Sequence, residues 1–277
     1  MVTHGVGLQH RARGEPVTAT RDVSEVTDRF LLTGKVAMVT GGSRGLGRSM
    51  VLAFARAGAD VVITSRKLDA CERLAEEVEK QTGRAALPYA CHVGHWEELP
   101  ALLDAAYERF GRLDVLVNNA GKSPLYPSLA EVDEQLWDSV IAVNLKGPFR
   151  LTALAGRRMA ESGTGGPIIN ISSGAAVHPQ PHMLPYAAAK AGLNAITAGF
   201  AQAYGPAVRV NCIMAGPFLT DISKSWDMDE FRRSARGHAL QRAGEPDEII
   251  GAALYFAGDA SSYTTGAVLA VDGGLPP

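Results

Sequence analysis

The chain has 277 residues, 46% of them hydrophobic and 20% charged, enough for one large domain or two small ones, either with a sizeable core. Lysine plus arginine (27) nearly balances aspartate plus glutamate (29), so the formal charge of −2 gives no reason to expect a nucleic-acid or membrane partner. No apolar run approaches the roughly 18 residues of a membrane span, and Cys71, Cys91 and Cys212 are widely spaced, reading as reduced thiols of a cytoplasmic protein, not a disulfide framework or metal site.

The first 28 residues interleave Arg11, Arg13 and Arg21 with Glu15, Asp22, Glu25 and Asp28. They lack the apolar centre of a secretory signal, and the acids argue against an organellar transit peptide. Residues 1–32 are therefore expected to form a loosely ordered tail, with a short helix around 22–30, ahead of a single domain over 33–277. KVAMVT (35–40) predicts a buried strand that runs into the glycine-rich GGSRGLG (41–47) and then a helix. VVITSR (61–66) predicts a second strand, followed by a helix that Gly83 closes. A third strand is expected within 84–93, a third helix over 96–111 and a fourth strand in LDVLVNNAG (113–121). One long helical stretch should cover 131–160, followed by strand 167–173, helix 185–204, strand 208–213, helix 246–258 and strand 267–273. Continuous apolar strands alternating with helices imply a doubly wound α/β domain: a central parallel sheet, helices on both faces, and ligand at the carboxyl ends of the strands.

The loop TGGSRGLG (40–47) sits where the first strand feeds the first helix. Gly41, Gly45 and Gly47 permit positive φ and close approach of backbone to a ligand, and the helix start beyond offers free N–H groups to a pyrophosphate. In its strand–loop–helix context the loop, with Ser43, Arg44 and Leu46 between the glycines, points to dinucleotide binding over a merely tight turn. At the end of the second strand a carboxylate would accept from the ribose 2′-OH of NAD. The chain instead reads Thr64-Ser65-Arg66-Lys67, with no acid until Asp69. Arg66 together with Arg44 favours the 2′-phosphate of NADP, against the plainer reading of solvated charges opening a helix.

YAAAK (186–190) places a phenol and an ammonium four residues apart on a predicted helix, about 6 Å apart along its axis. The alanines leave the two long side chains room to share one face. A tyrosine titrates near 10, so acid–base work near neutrality needs a fall of about three units, or about 4 kcal/mol. An ammonium about 4 Å away at an effective dielectric near 20 supplies about that much.

At this point the sequence resembles the short-chain dehydrogenase/reductase family over about residues 33–275, through TGGSRGLG, NNAG (118–121), Asn144 in VNLKG, Ser173, YAAAK and a terminal YTTGAVLAVDGG. The resemblance implies a Rossmann-like single domain, a nicotinamide cofactor and a homotetramer or dimer. It implies Tyr186 as catalytic acid–base, Lys190 as its activator, Ser173 (thirteen residues before the tyrosine, which selects it over Ser172) as holder of the substrate oxygen, and Asn144 in a proton relay. Asn118, Asn119, Ala120 and Gly121 match the turn beside the cofactor, and Tyr186, Lys190, Gly216 and Thr220 complete that contact set. Two departures stand out. His92-Val93 replaces an acid–valine pair that contacts adenine in the family, and Ala215-Gly216-Pro217 replaces the usual Pro-Gly.

The expected activity is NADP(H)-dependent interconversion of a secondary alcohol and a ketone or 3-oxoacyl group by hydride transfer. The alternatives are an NAD-dependent polyol or sugar dehydrogenase of the same fold, and a cofactor-binding regulator without turnover. The four-residue spacing of Tyr186 and Lys190 disfavours the enoyl reductases, which use a longer one. A lid is expected over 217–245, with Phe218, Leu219, Trp226 and Met228 covering an apolar or cyclic ketone and His178 and His182 on the facing loop. Those histidines read as loop or pocket-lining residues, since Pro179 and Pro181 deny them a shared helix face, and no metal site is expected. Arg157 and Arg158 either meet an acidic carrier or are solvated helix charges. Ala187, Ala191, Ala195, Ala198 and Gly199 form a small-residue helix face suited to close packing between subunits.

Overall fold

The computed structural model describes residues 23–220 and 235–275. A short helix α1 (Val23–Thr27) and a 3₁₀ turn (Asp28–Phe30) lead to β1 (Val36–Thr40). Then follow α2 (Gly45–Arg56), β2 (Asp60–Ser65), α3 (Leu68–Thr82), β3 (Ala86–Ala90), α4 (Leu99–Phe110) and β4 (Val115–Asn118). The second half contains α5 (Glu134–Ile141), a π-helical segment (Ala142–Lys146), α6 (Gly147–Glu161), β5 (Gly166–Ser173), α7 (Leu184–Tyr204), β6 (Val208–Ala215), α8 (Ile250–Ala257) and β7 (Val268–Val271).

The strands form one seven-stranded sheet in the order β3-β2-β1-β4-β5-β6-β7, every pair parallel. Successive strands run outward from β1 to β3, and the chain then returns to lay β4 on the other side of β1. That reversal opens a crevice at the carboxyl ends of β1 and β4, where a doubly wound sheet binds its ligand. All five residues of β1 and all four of β4 are buried, because helices cover both faces. Alternation along each strand divides the core into two layers. Ala37, Val39, Val115, Val117, Ile169 and Ile171 pack with Phe54 of α2, Leu74 of α3 and Phe256 of α8. Val36, Met38, Leu116 and Ile168 pack with Leu102 of α4, Leu151 and Met159 of α6 and Ala201 of α7.

Within the expected tail the short helix stands at Val23–Thr27, residues 24–31 are exposed and Leu32 is fully buried, and a Cβ on Gly258 would stand 2.3 Å from the carbonyl of Arg29. The rest of the expected tail lies outside the described residues. The helical stretch expected over 131–160 runs without interruption from Glu134 to Glu161, widened at Ala142–Lys146 into a π-helical turn. Pro148 has no N–H to give the carbonyl of Asn144 four residues earlier, and a Cβ on Gly147 would lie 2.1 Å from the carbonyl of Val93, so the backbone presses on its neighbour where the helix widens. Phe218 is not a lid side chain. It is buried in the first core layer, bridges Gly244 in parallel pairing, and its ring would meet a Cβ on Gly244 at 2.7 Å. Leu219 is half-buried beside it, while Trp226 and Met228 lie outside the described residues.

Candidate active site

β5 ends in Ser172-Ser173, and period-2 alternation sends the two hydroxyls to opposite faces. Ser172 is buried under α7, its hydroxyl donating to the carbonyl of Lys190 at 3.2 Å. Ser173, in register with Ala215 of β6, faces the crevice, and its hydroxyl accepts from the N–H of Ala175 at 3.2 Å. Tyr186 and Lys190 share one face of α7, with Nζ 5.6 Å from the ring centroid. The packing of α7 depends on small residues. Ala187 and Ala189 are buried, and a Cβ on Gly192 would meet Leu145 of the π-helical segment at 2.9 Å.

Lys190 is almost wholly buried, and its ammonium donates to the carbonyl of Ile171 at 2.7 Å. Burial pushes its pKa down to about 8, with Cys212 a weak opposing influence. Burial also pushes the Tyr186 phenol up, opposed by the Ser173 hydroxyl. This reverses the direction expected from the sequence. In the protein alone, burial is the larger influence on the phenol.

Asn144 is fully buried at the π-helical turn. Its Nδ2 donates to the carbonyls of Lys122 (2.7 Å) and Val140 (2.9 Å), and its Oδ1 accepts from the Lys122 N–H at 3.2 Å. The side chain is therefore a clamp on the loop after β4. Behind the site runs a buried chain of polar side chains that the sequence reading missed. Asn118 Nδ2 donates to Thr152 Oγ1 (3.0 Å) and Asn170 Oδ1 (2.9 Å), and Asn170 Nδ2 donates to Thr197 Oγ1 (2.9 Å). It ties α6, β4, β5 and α7 together. Its one signal in the sequence is an asparagine inside the apolar run PIINISS.

The glycine loop fits a dinucleotide. Gly41 and Gly45 have φ of +62° and +51°, and a Cβ on Gly47 would lie 2.2 Å from the carbonyl of Gly41. The loop rests on the turn after β4: Asn119 Nδ2 donates to the carbonyls of Thr40 (2.8 Å) and Gly41 (3.2 Å), and Thr40 Oγ1 accepts from the N–H groups of Asn119 (3.0 Å) and Ala120 (3.1 Å). A Cβ on Gly41 would stand 2.9 Å from Ala120 Cα, and one on Gly121 3.3 Å from Asn144 Oδ1. Thr220 closes the far side, its side chain 3.3 Å from where a Gly45 Cβ would be. Gly216, after Ala215 at the end of β6, lies against Asp272, a Cβ there meeting Cα at 2.5 Å. A bare backbone cradle thus lies at the start of α2, where N–H groups and the helix dipole favour a pyrophosphate. Ser43 and Leu46 are half-buried in it and Arg44 is exposed at its rim.

Beyond the cradle, the end of β2 brings Ser65 and Arg66 beside His92. The Ser65 hydroxyl is turned to its own loop, 3.2 Å from the carbonyl of Lys67 and 3.1 Å from Cys71 Sγ, while Arg66 is exposed. Asp69 is paired with Arg73 at 2.9 Å. His92 stacks on His95 with ring centroids 4.2 Å apart, and Glu98 accepts from both the His92 N–H (3.0 Å) and His95 Nδ1 (2.6 Å). Partial burial, with His95 and Arg66 adding to it, pushes the His92 pKa down. Val93 is buried, its carbonyl against Gly147. His178 is half-buried and His182 exposed on the loop between β5 and α7. Arg157 pairs with Glu161 of its own helix at 3.1 Å, and Arg158 reaches across to α4, pairing with Asp104 and lying over the Tyr107 ring. Cys71, Cys91 and Cys212 are buried free thiols. Among the described residues no helix is long and apolar enough to cross a membrane.

Residues 41–276 match the family model described as Enoyl-(Acyl carrier protein) reductase. The chain is 38% identical over 252 residues to the short chain dehydrogenase/reductase astE of Aspergillus oryzae, covering 89% of this chain and 97% of that one. It is also 38% identical over 253 residues to D-threitol dehydrogenase of Mycolicibacterium smegmatis, covering 88% and 94%. Among solved structures, the NADPH-dependent 3-quinuclidinone reductase of Rhodotorula rubra superposes with a TM-score of 0.84 at 30% identity, over 97% of this chain and 98% of that one. Fold and relatives together define an NAD(P)-dependent oxidoreductase acting on alcohol or ketone substrates. The chain belongs to the short-chain dehydrogenase/reductase family.

Proposed function

We propose that the chain interconverts a secondary alcohol and a ketone with NADP(H), and that Ser173, Tyr186, Lys190 and Asn144 carry the reaction. The observation that carries this reading is the pairing of the Tyr186 ring with the buried Lys190 ammonium, 5.6 Å from its centroid, on one face of α7 beside the end of β5 that bears Ser173. A nicotinamide bound along the cradle supplies or accepts the hydride and, when oxidised, adds a positive charge. Gly41, Gly45, Gly47, Asn119 and Thr220 hold it there. Ser173 binds the substrate oxygen and Tyr186 gives it a proton in reduction or takes one in oxidation. Lys190 and Asn144 link the phenol to solvent. Because the protein alone holds the phenol up and the ammonium down, Tyr186 becomes a competent base only in the assembled site.

NADP(H) is favoured by Arg66 and Arg44 at the ends of β2 and β1, and by the absence of a carboxylate at the end of β2. An apolar or cyclic ketone, or a 3-oxoacyl thioester, is favoured over a polyol by exposed Val177 after Ser173, Leu184 before Tyr186 and Leu125 on the loop after β4. The relatives lie on both sides of this question, one named for a sugar alcohol and one for a bicyclic ketone. The test is a panel of apolar ketones, 3-oxoacyl thioesters and polyols, read by absorbance of the reduced cofactor. The expected result is faster reduction of apolar ketones or thioesters with NADPH than with NADH, and reversal of that preference in Arg66→Asp. Tyr186→Phe should lose at least about a hundredfold in kcat while still binding cofactor. Equal efficiency with both cofactors sinks the NADP assignment. Polyols turning over a hundredfold better than every ketone and thioester sink the substrate assignment.

A further inference from the structure

Tyr126, on the loop after β4, plays no part in the reading above. It is half-buried, and its hydroxyl makes two bonds to one short piece of chain, donating to the carbonyl of Pro181 at 2.7 Å and accepting from the N–H of Leu184 at 2.9 Å. Leu184 is the first residue of α7. A helix start leaves its first N–H groups without intrahelical acceptors, and a preceding serine, threonine, aspartate or asparagine ordinarily caps them. Here Met183 precedes the helix and makes no side-chain cap, and Pro185 has no N–H at all. The cap comes instead from Tyr126, 58 residues earlier in the chain.

The same loop is anchored at its other end. Asn144 brackets the backbone of Lys122 on both sides, and Lys122 Nζ donates to Ser139 Oγ at 2.7 Å. Residues 122–126 therefore form a strut between the π-helical turn that carries Asn144 and the first turn of α7. Tyr186 lies two residues beyond the capped N–H, so the angle at which α7 begins sets where its phenol stands against Ser173.

We infer that Tyr126 is a positioning residue: its hydroxyl caps α7 from outside and fixes the Tyr186 phenol for proton transfer. The kinetic consequence rests on the proposed function, whereas the cap is read without any substrate. Tyr126→Phe keeps the ring and removes only the hydroxyl. By hydrogen–deuterium exchange, a peptide spanning 183–190 should exchange at least about threefold faster in the variant, with the rest of α7 unchanged. On a ketone that the unmodified enzyme reduces, kcat should fall about tenfold, with the dissociation constant for NADPH, measured by fluorescence titration, within twofold. The deuterium isotope effect on hydride transfer should rise and the pH–rate limb belonging to Tyr186 should shift, neither of which follows from a smaller folded fraction. Unchanged exchange at 183–190 overturns the cap. Faster exchange with unaltered kcat, or a loss of kcat with the isotope effect and pH profile unmoved, overturns the positioning role. If the unmodified enzyme reduces nothing in the panel, the functional reading fails, and the exchange experiment alone decides the cap.

Discussion

Lys190 combines deep burial with a charge, and among the described residues its ammonium's only hydrogen bond is to the carbonyl of Ile171. Its pKa is pushed down to about 8 in the folded protein, from 10.5. Between these values the unfolded chain holds a proton that the folded one has released, so this group's contribution to stability rises with pH across the window. Below it both states are protonated and the cost of burying the charge is felt in full. Urea unfolding at pH 8 and pH 9 should therefore show the unmodified protein gaining about 1 kcal/mol relative to Lys190→Met. Cys212, pushed up to about 11 by burial, titrates with the opposite sign but is present in both proteins. Stability curves that run parallel would mean that Lys190 titrates normally.

Among the elements, the glycine loop and α7 make their demands through backbone contact. Gly47 has no room for a methyl group, since its Cβ would stand 2.2 Å from the carbonyl of Gly41 and 2.6 Å from Asn119 Nδ2. Gly47→Ala must displace either the loop or the turn after β4, and both sides of the cradle move with it. A dinucleotide should bind at least about tenfold more weakly, and the melting temperature should fall by several degrees, because overpacking a close backbone contact costs about 1–3 kcal/mol. Fluorescence titration with NADPH and a thermal melt would check both. Cofactor affinity unchanged in a stable variant would remove the loop from the binding site.

At the scale of the molecule, α7 offers a face that the single chain does not cover. Ala191, Ala195, Ala198 and Gly199 are exposed, and a Cβ on Gly199 would meet nothing within 4 Å. Ala187, expected on the same face, is instead buried in the core. Beside this face an aromatic row joins α6 to α7, with Phe149 42% exposed and its ring 5.3 Å from that of Phe200. A small-residue strip beside exposed aromatic surface suits close helix packing against a second copy, and we propose a homo-oligomer, a tetramer by family resemblance. Light scattering at micromolar concentration should give a multiple of the monomer mass, and Ala195→Arg should reduce it. A monomer in the unmodified protein would refute the assembly.

The alternation of apolar runs and helices, the glycine spacing and the tyrosine–lysine spacing were legible in the chain because each is local. Strand period, helical period and the steric freedom of glycine act over a few residues, and the parallel sheet lies where they put it, within a few residues at each end. The widening at Ala142–Lys146 was also legible in principle, in the proline of Lys146-Gly147-Pro148, within a helix that runs on through it. What only the tertiary structure decided concerns partners far apart in sequence and the degree of burial. Leu32 became core because Gly258 lets the incoming chain lie close. Phe218 turned inward because Gly244 leaves space for its ring. The start of α7 gained its cap from Tyr126 across the crevice. The directions in which Tyr186 and Lys190 are pushed were decided the same way, since desolvation depends on everything packed around a group and spacing alone does not reveal it.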